Sequence, residues 1–266
     1  MTSTKDETEV IIRQNQRIWE ETSRQSDRFT PGKSSLIDQI TLPKLDNSTS
    51  RVIKVFNAAL LDVAERAAVV GLKPMVVNAG SDNDPVTIVE NGAIGTEWDI
   101  FRRSNLANGL NIAEQYPLRE GKLLYCNDVT VFKNSSYKLC KPFEIAICCA
   151  PPLRRPNLVS IRAGDNLVEQ YQNLLEQKRM QDTINKIFET ALYKGHRCII
   201  FDDYGCTKTC ENPISEVINI FNQAIANYPV KYVFFAVKES EQLQNTKKVK
   251  SVYKNYTIFN NDILRY

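Results

Sequence analysis

Four short runs, "KPMVVNA", "FEIAICCA", "RCIIFDD" and "KYVFFAVK", constrain this chain most, because each is strand-length with a continuous or near-continuous apolar centre. A strand with two apolar faces needs cover on both, which points to a sheet sandwiched by helices rather than one open to water. The intervening sequence offers that cover. "EVIIRQNQRIWEETSR" repeats apolar residues at helical spacing. "SRVIKVFNAALLDVAERAAVV" has a serine at a cap position, a wide apolar face and Gly71 just past its end, so it reads as a second helix. "AGDNLVEQYQNLLEQKRMQDTINKIFETALYKG" reads as a long helical stretch closed by Gly195, and "NPISEVINIFNQAIANY" as another. "DVTVFK" adds a further strand, and residues 26–50, rich in Ser, Thr, Asp, Pro and Gly, read as a long loop or arm. The expected class is α/β. No internal repeat appears and no linker follows residue 50, so residues 1–50 are expected as a helix and arm packed on one domain spanning 51–266.

At 266 residues the chain can bury a substantial core. A net charge of +3 gives no strong nucleic-acid signal, and "KKVKSVYKN" at 247–255 is only a modest basic-aromatic stretch. No apolar run approaches the roughly 18 residues that span a bilayer, and "MTSTKDETEV" is too polar and acidic for a signal peptide. An intracellular protein, cytoplasmic or nuclear and not secreted, is expected. The Asn-x-Ser/Thr triplets at Asn47, Asn134 and Asn255 are then chance matches, and the seven cysteines are free thiols that behave as small hydrophobes. Cys206-x-x-x-Cys210 lacks a second cysteine pair, and the chain has one histidine, so neither metal nor cofactor is expected.

Residues 78–106, "NAGSDNDPVTIVENGAIGTEWDIFRRSNL", run from a strand end through turn formers to a helix carrying Glu97, Asp99, Arg102 and Arg103. The order of motifs here resembles that of the microbial-type poly(ADP-ribose) glycohydrolase catalytic domain, a relative of the macrodomain fold. That family carries Asn-Phe-Ala-Ser, three residues, Pro-Gly-Gly-Gly, three residues, Gly-Ala, two residues, Gln-Glu-Glu, and then Arg-x-Ser. Laid on this sequence without a gap, Asn78, Ser81, Pro85, Gly92, Ala93, Glu97, Arg103 and Ser104 fall at those positions. "RIWEET" at 17–22 is similar to the family's first-helix pattern, and "FEIAICCAPPLRRP" to its strand and Ala-Pro-Asn segment. "CIIFDDYGCTKTCENPISEVINIF" resembles its second glycine-rich loop, followed by Asn-Asp-Pro and a helix. The resemblance covers most of residues 10–240 and implies a three-layer α/β/α macrodomain-like mixed sheet.

It also implies a site, with departures. Glu97 is the candidate catalytic residue; Asn78, Ser81, Gly92, Ala93, Thr96, Trp98, Gly205, Cys206, Thr207 and Lys208 are the candidate ligand contacts. The family's catalytic second glutamate is replaced by Trp98, and its three phosphate-loop glycines by Val86, Thr87 and Ile88. Three β-branched residues favour an extended strand and crowd a ligand's approach. Asp202 and Asp203 stand where the second loop would face a diphosphate, repelling it unless they point away or bind a cation such as Mg²⁺. Arg102 and Arg103 read as a solvated or salt-bridged surface pair, or as an anion site. Three readings follow. One is a catalytically inactive homologue binding ADP-ribose, an ADP-ribosylated protein or another protein partner. The second is an active glycohydrolase using Glu97 or Asp99. The third is an interaction protein whose cleft is closed by Trp98 and Val86-Thr87-Ile88.

Overall fold

The computed structural model describes residues 3–45, 50–119, 121–163, 166–239 and 255–263. Its fold is α/β, a mixed sheet of seven strands with flanking helices. The strands divide between two compact units, one made of residues 1–38 and 64–151, the other of 39–63 and 152–266.

In the first unit, β1 (Ser34–Ile37), β4 (Leu123–Lys133), β5 (Leu139–Cys149) and β3 (Met75–Asn78) lie side by side in that order. The first three alternate in direction, and β3 runs parallel to β5 with Asn78 in register with Cys149. All four residues of β3 are buried, as a near-continuous apolar strand requires. Helix α1 (Ser3–Ser26) carries a buried stripe of Asn15, Trp19, Thr22 and Ser26, spaced at helical period but mostly polar. Those polar groups are fastened to the chain far downstream. Asn15 donates to the Gly92 carbonyl at 3.0 Å, and the Thr22 hydroxyl to the Arg102 carbonyl at 2.7 Å.

In the second unit, β8 (Cys198–Phe201), β9 (Tyr232–Ala236) and β2 (Val52–Phe56) are all parallel. Helices α6 (Leu174–Tyr193), α7 (Ile214–Asn227) and α8 (Asn255–Asp262) belong to this unit. Phe188, Phe201, Phe221, Phe235 and Phe259 form its aromatic core, with Phe201 and Phe221 ring centres 4.8 Å apart.

Three expectations about elements are corrected. Residues 51–70 are not one helix but β2 followed by α2 (Leu60–Val69), because the β-branched run "VIKVF" pairs with β9 before the chain turns. The stretch from Ala163 to Gly195 is not helical throughout, since its first part is paired as a strand. β6 (Leu158–Ala163) and β7 (Asn166–Tyr171) form an antiparallel hairpin, and α6 begins only where the Asn173 side chain caps the Leu175 amide at 2.9 Å. The presumed arm contains β1. Asn47 and residues 247–254 of the basic-aromatic stretch lie outside the described residues.

Candidate functional site

β3 ends on Asn78, and the chain turns at once through Gly80, where an added Cβ would lie 2.2 Å from Glu97 Oε1. The missing side chain leaves room for the Glu97 carboxylate, only 9% exposed. That carboxylate accepts the Ser81 amide through both oxygens, at 2.9 and 3.0 Å, and the Asn78 side-chain amide at 3.3 Å. Bonds to a carboxylate are stronger than neutral ones. Glu97 also lies in the first turn of α4 (Thr96–Arg103), where helix amides favour negative charge. Asn78, Ser81 and Glu97 therefore meet. Tyr116, absent from the sequence expectations, lies near them. Its enclosed hydroxyl makes no hydrogen bond of ordinary geometry among the described residues, and burial, with Cys149 and Glu97 nearby, raises its ionisation far above the usual range. Burial also pushes the Cys149 thiol up to about 12, which makes it inert as a nucleophile at neutral pH.

Val86, Thr87 and Ile88 are not extended. They lie in a short helix, α3 (Pro85–Glu90), with Val86 and Ile88 half-buried and Thr87 exposed. Asp84 overrides β-branching here: its carboxylate accepts the Val86 amide at 2.9 Å and the Thr87 amide at 3.4 Å, and Pro85 supplies a preset φ at the first helical position. The Asp-Pro pair was a readable helix-start signal. It also means that a side chain of the protein already occupies these amides.

The remaining candidates of this unit serve the backbone. Gly92 has φ +79° and is buried against Ile12 of α1, where a Cβ would lie 2.6 Å from the Ile12 carbonyl oxygen. The Ala93 carbonyl accepts the Arg102 guanidinium. Thr96 is exposed, and Trp98 is half-buried beside Phe101. Arg102 and Arg103 are not a solvated pair: they are 2% and 1% exposed. Arg103 bridges Asp99 at 3.1 Å and the Lys133 carbonyl at 3.1 Å, so Asp99 is engaged in an ion pair.

In the second unit, β8 runs into loop 202–212. Gly205 has φ +74°, and a Cβ there would meet Met180 at 2.8 Å and Asn212 at 3.0 Å. Asn212 organises the loop. Its side-chain amide donates to the Leu153 carbonyl at 2.7 Å and the Gly205 carbonyl at 2.9 Å, while its oxygen accepts the Tyr171 hydroxyl at 2.9 Å. Asn255 donates to Asp203 at 2.6 Å and to the Cys206 carbonyl at 3.2 Å. Asp202 is buried, and its Oδ1 has no hydrogen-bond partner among the described residues. Burial, then the charge of Asp203, raises its carboxyl well above the usual carboxylate range; burial raises Asp203 as well. Cys206 is buried, Thr207 accepts the Cys210 amide at 3.1 Å, and Lys208 is exposed. Among the described residues no group of three His, Cys, Asp or Glu side chains could hold a metal ion, and no helix is long and apolar enough to cross a membrane.

No protein-family profile matches this chain, and no curated protein sequence does. Solved structures do. The poly(ADP-ribose) glycohydrolase from Thermomonospora curvata superposes with a TM-score of 0.69 at 20% identity, covering 86% of this chain and 95% of that one. The Deinococcus radiodurans poly(ADP-ribose) glycohydrolase in complex with ADP-ribose gives 0.61 at 16% identity, covering 86% of each chain. At these identities the likeness establishes a fold like that of the microbial enzymes.

Proposed function

We propose that this chain binds an ADP-ribose-like ligand, free or carried on a modified protein, and does not cleave it. The shared fold supports the ligand class, and the Deinococcus radiodurans relative is a complex with ADP-ribose. One observation carries the loss of cleavage: the Glu97 carboxylate already holds Ser81 and Asn78, and the next position is Trp98. Cleaving a glycosidic bond calls for a carboxyl group that can protonate the leaving oxygen or activate water. An indole offers neither, and losing a general acid costs typically about 10²–10⁴-fold in rate.

Titration calorimetry with ADP-ribose, paired with a release assay on ADP-ribosylated protein, tests both halves. Saturable binding with release at background is the expected result. Turnover that Glu97→Gln abolishes would overturn the loss of cleavage, and absence of binding would favour a protein-interaction role.

A further inference from the structure

β6 and β7 form a two-stranded sheet that no other described strand joins. Such a ribbon is marginal by itself, since stability in water needs a third strand or a packed face. β7 has that support. It packs against α7 and α6, and Tyr171 at its end is buried, its hydroxyl donating to Asn212 at 2.9 Å. β6 is the outer strand. Val159, Ser160, Ile161 and Arg162 are all exposed, and the far edge of β6 pairs with no strand among the described residues.

Edge strands are commonly guarded against other chains by proline, lysine, a bulge or an overlying element. β6, "LVSIRA", has neither proline nor lysine, and its register with β7 runs without a bulge from Leu158↔Tyr171 to Arg162↔Leu167. Val159 and Ile161 are β-branched and apolar, which favours strand pairing. Nothing in this edge resists a further strand.

The order of residues in β6 fits a second β6. Two copies related by a two-fold axis pair antiparallel, and each residue then meets one on the same face of the sheet. With Ser160 opposite Ser160 of the second copy, Val159 faces Ile161 and Ile161 faces Val159. Ile161 already lies beside Val168 of β7, so aliphatic side chains run across three adjacent strands. On the other face Arg162 falls opposite Leu158 of the second copy. It stands diagonal to that copy's Ser160, whose β7 neighbour is Glu169, so opposite charges approach and no like charges face each other.

We propose that this chain forms a two-fold dimer in which β6 pairs antiparallel with β6 of a second copy, joining two hairpins into one four-stranded sheet. A six-residue junction belongs with small interfaces, so the dimer is concentration-dependent.

Sedimentation equilibrium on the full chain should show a monomer–dimer equilibrium with a dissociation constant of about 10 µM. Val159→Lys sets a charge opposite Ile161, and Ile161→Glu sets one opposite Val159. Each should weaken self-association at least about tenfold. The unfolding midpoint should hold, because the two side chains are already 41% and 37% exposed. Mixing the two variants puts lysine opposite glutamate and should restore a dimer with one copy of each. Amide exchange at residues 159–161 of the unaltered chain should also slow as concentration rises, a measure that needs no variant. A chain that stays monomeric to about 300 µM would overturn the proposal. So would a dimer that neither variant weakens, a mixture that fails to associate, or β6 amides whose exchange ignores concentration.

Discussion

The loops after β3 and β8 leave comparable places, the carboxyl ends of parallel strands, and each contains carboxylates that it uses in an opposite way. After β3, Glu97 and Asp84 accept main-chain amides, so the negative charges hold the backbone. After β8 the backbone is held by Asn212 and Asn255, and Asp202 is left buried with an unpartnered oxygen. An acceptor-only carboxylate can serve as scaffold where orphan amides converge on it. Where burial outweighs such bonds, the same group costs free energy and its pKa is raised. The first loop is closed by its acids. The second is held by amide side chains, one of them donating to Asp203, with Asp202 left out.

The sharpest way to break this comparison is to remove the space that Glu97 occupies. Gly80→Ala places a methyl group against that carboxylate and should cost about 3 kcal/mol, read as a fall in thermal midpoint, through overpacking and loss of bonds to a charged group. A change under half that size would mean the loop does not depend on Glu97. Next comes the amide that organises the other loop. Asn212→Ala removes two donated bonds and leaves the Tyr171 hydroxyl without its acceptor, for a loss of about 2 kcal/mol in denaturant unfolding. A neutral effect would show that the second loop is held by something other than its amides.

The smallest effect has the opposite sign. Asp202 has a carboxyl pKa raised in the folded state, so the folded protein binds more protons than the unfolded one above the unfolded value of about 4. Its penalty is absent below that pH and grows as pH rises toward the folded value. Asp202→Asn should therefore stabilise the protein by about 1 kcal/mol at pH 8 and by much less at pH 4, followed by chemical unfolding at both. A gain independent of pH would mean that Asp202 does not hold its proton there.

Much of the fold was legible because buried strands announce themselves: Met75–Asn78 and Cys198–Phe201 are apolar at almost every position and buried at all. The errors arose where a local pattern fits two structures. "NLVEQY" is helical by spacing, yet antiparallel partners in "LVSIRA" were available to it. Val86-Thr87-Ile88 is extended by propensity, yet Asp84 and Pro85 start a helix there. Within the site, Asn78, Ser81 and Glu97 could be picked out because a motif spaced them. Gly80 and Asn255 could not, since their parts depend on which distant atom arrives: a carboxylate oxygen in one case, the Asp203 side chain in the other.

The polar stripe of α1 also bears on how the chain is made. Its buried partners, the carbonyls of Gly92 and Arg102, lie 77 and 80 residues downstream of Asn15 and Thr22. At synthesis rates of about 5–20 residues per second, the helix waits roughly 4–16 s on the ribosome before either carbonyl exists. A stripe of leucines would spend that interval seeking any apolar surface. Asparagine and threonine stay compatible with water, and their bonds to the Gly92 and Arg102 carbonyls form only when those carbonyls arrive.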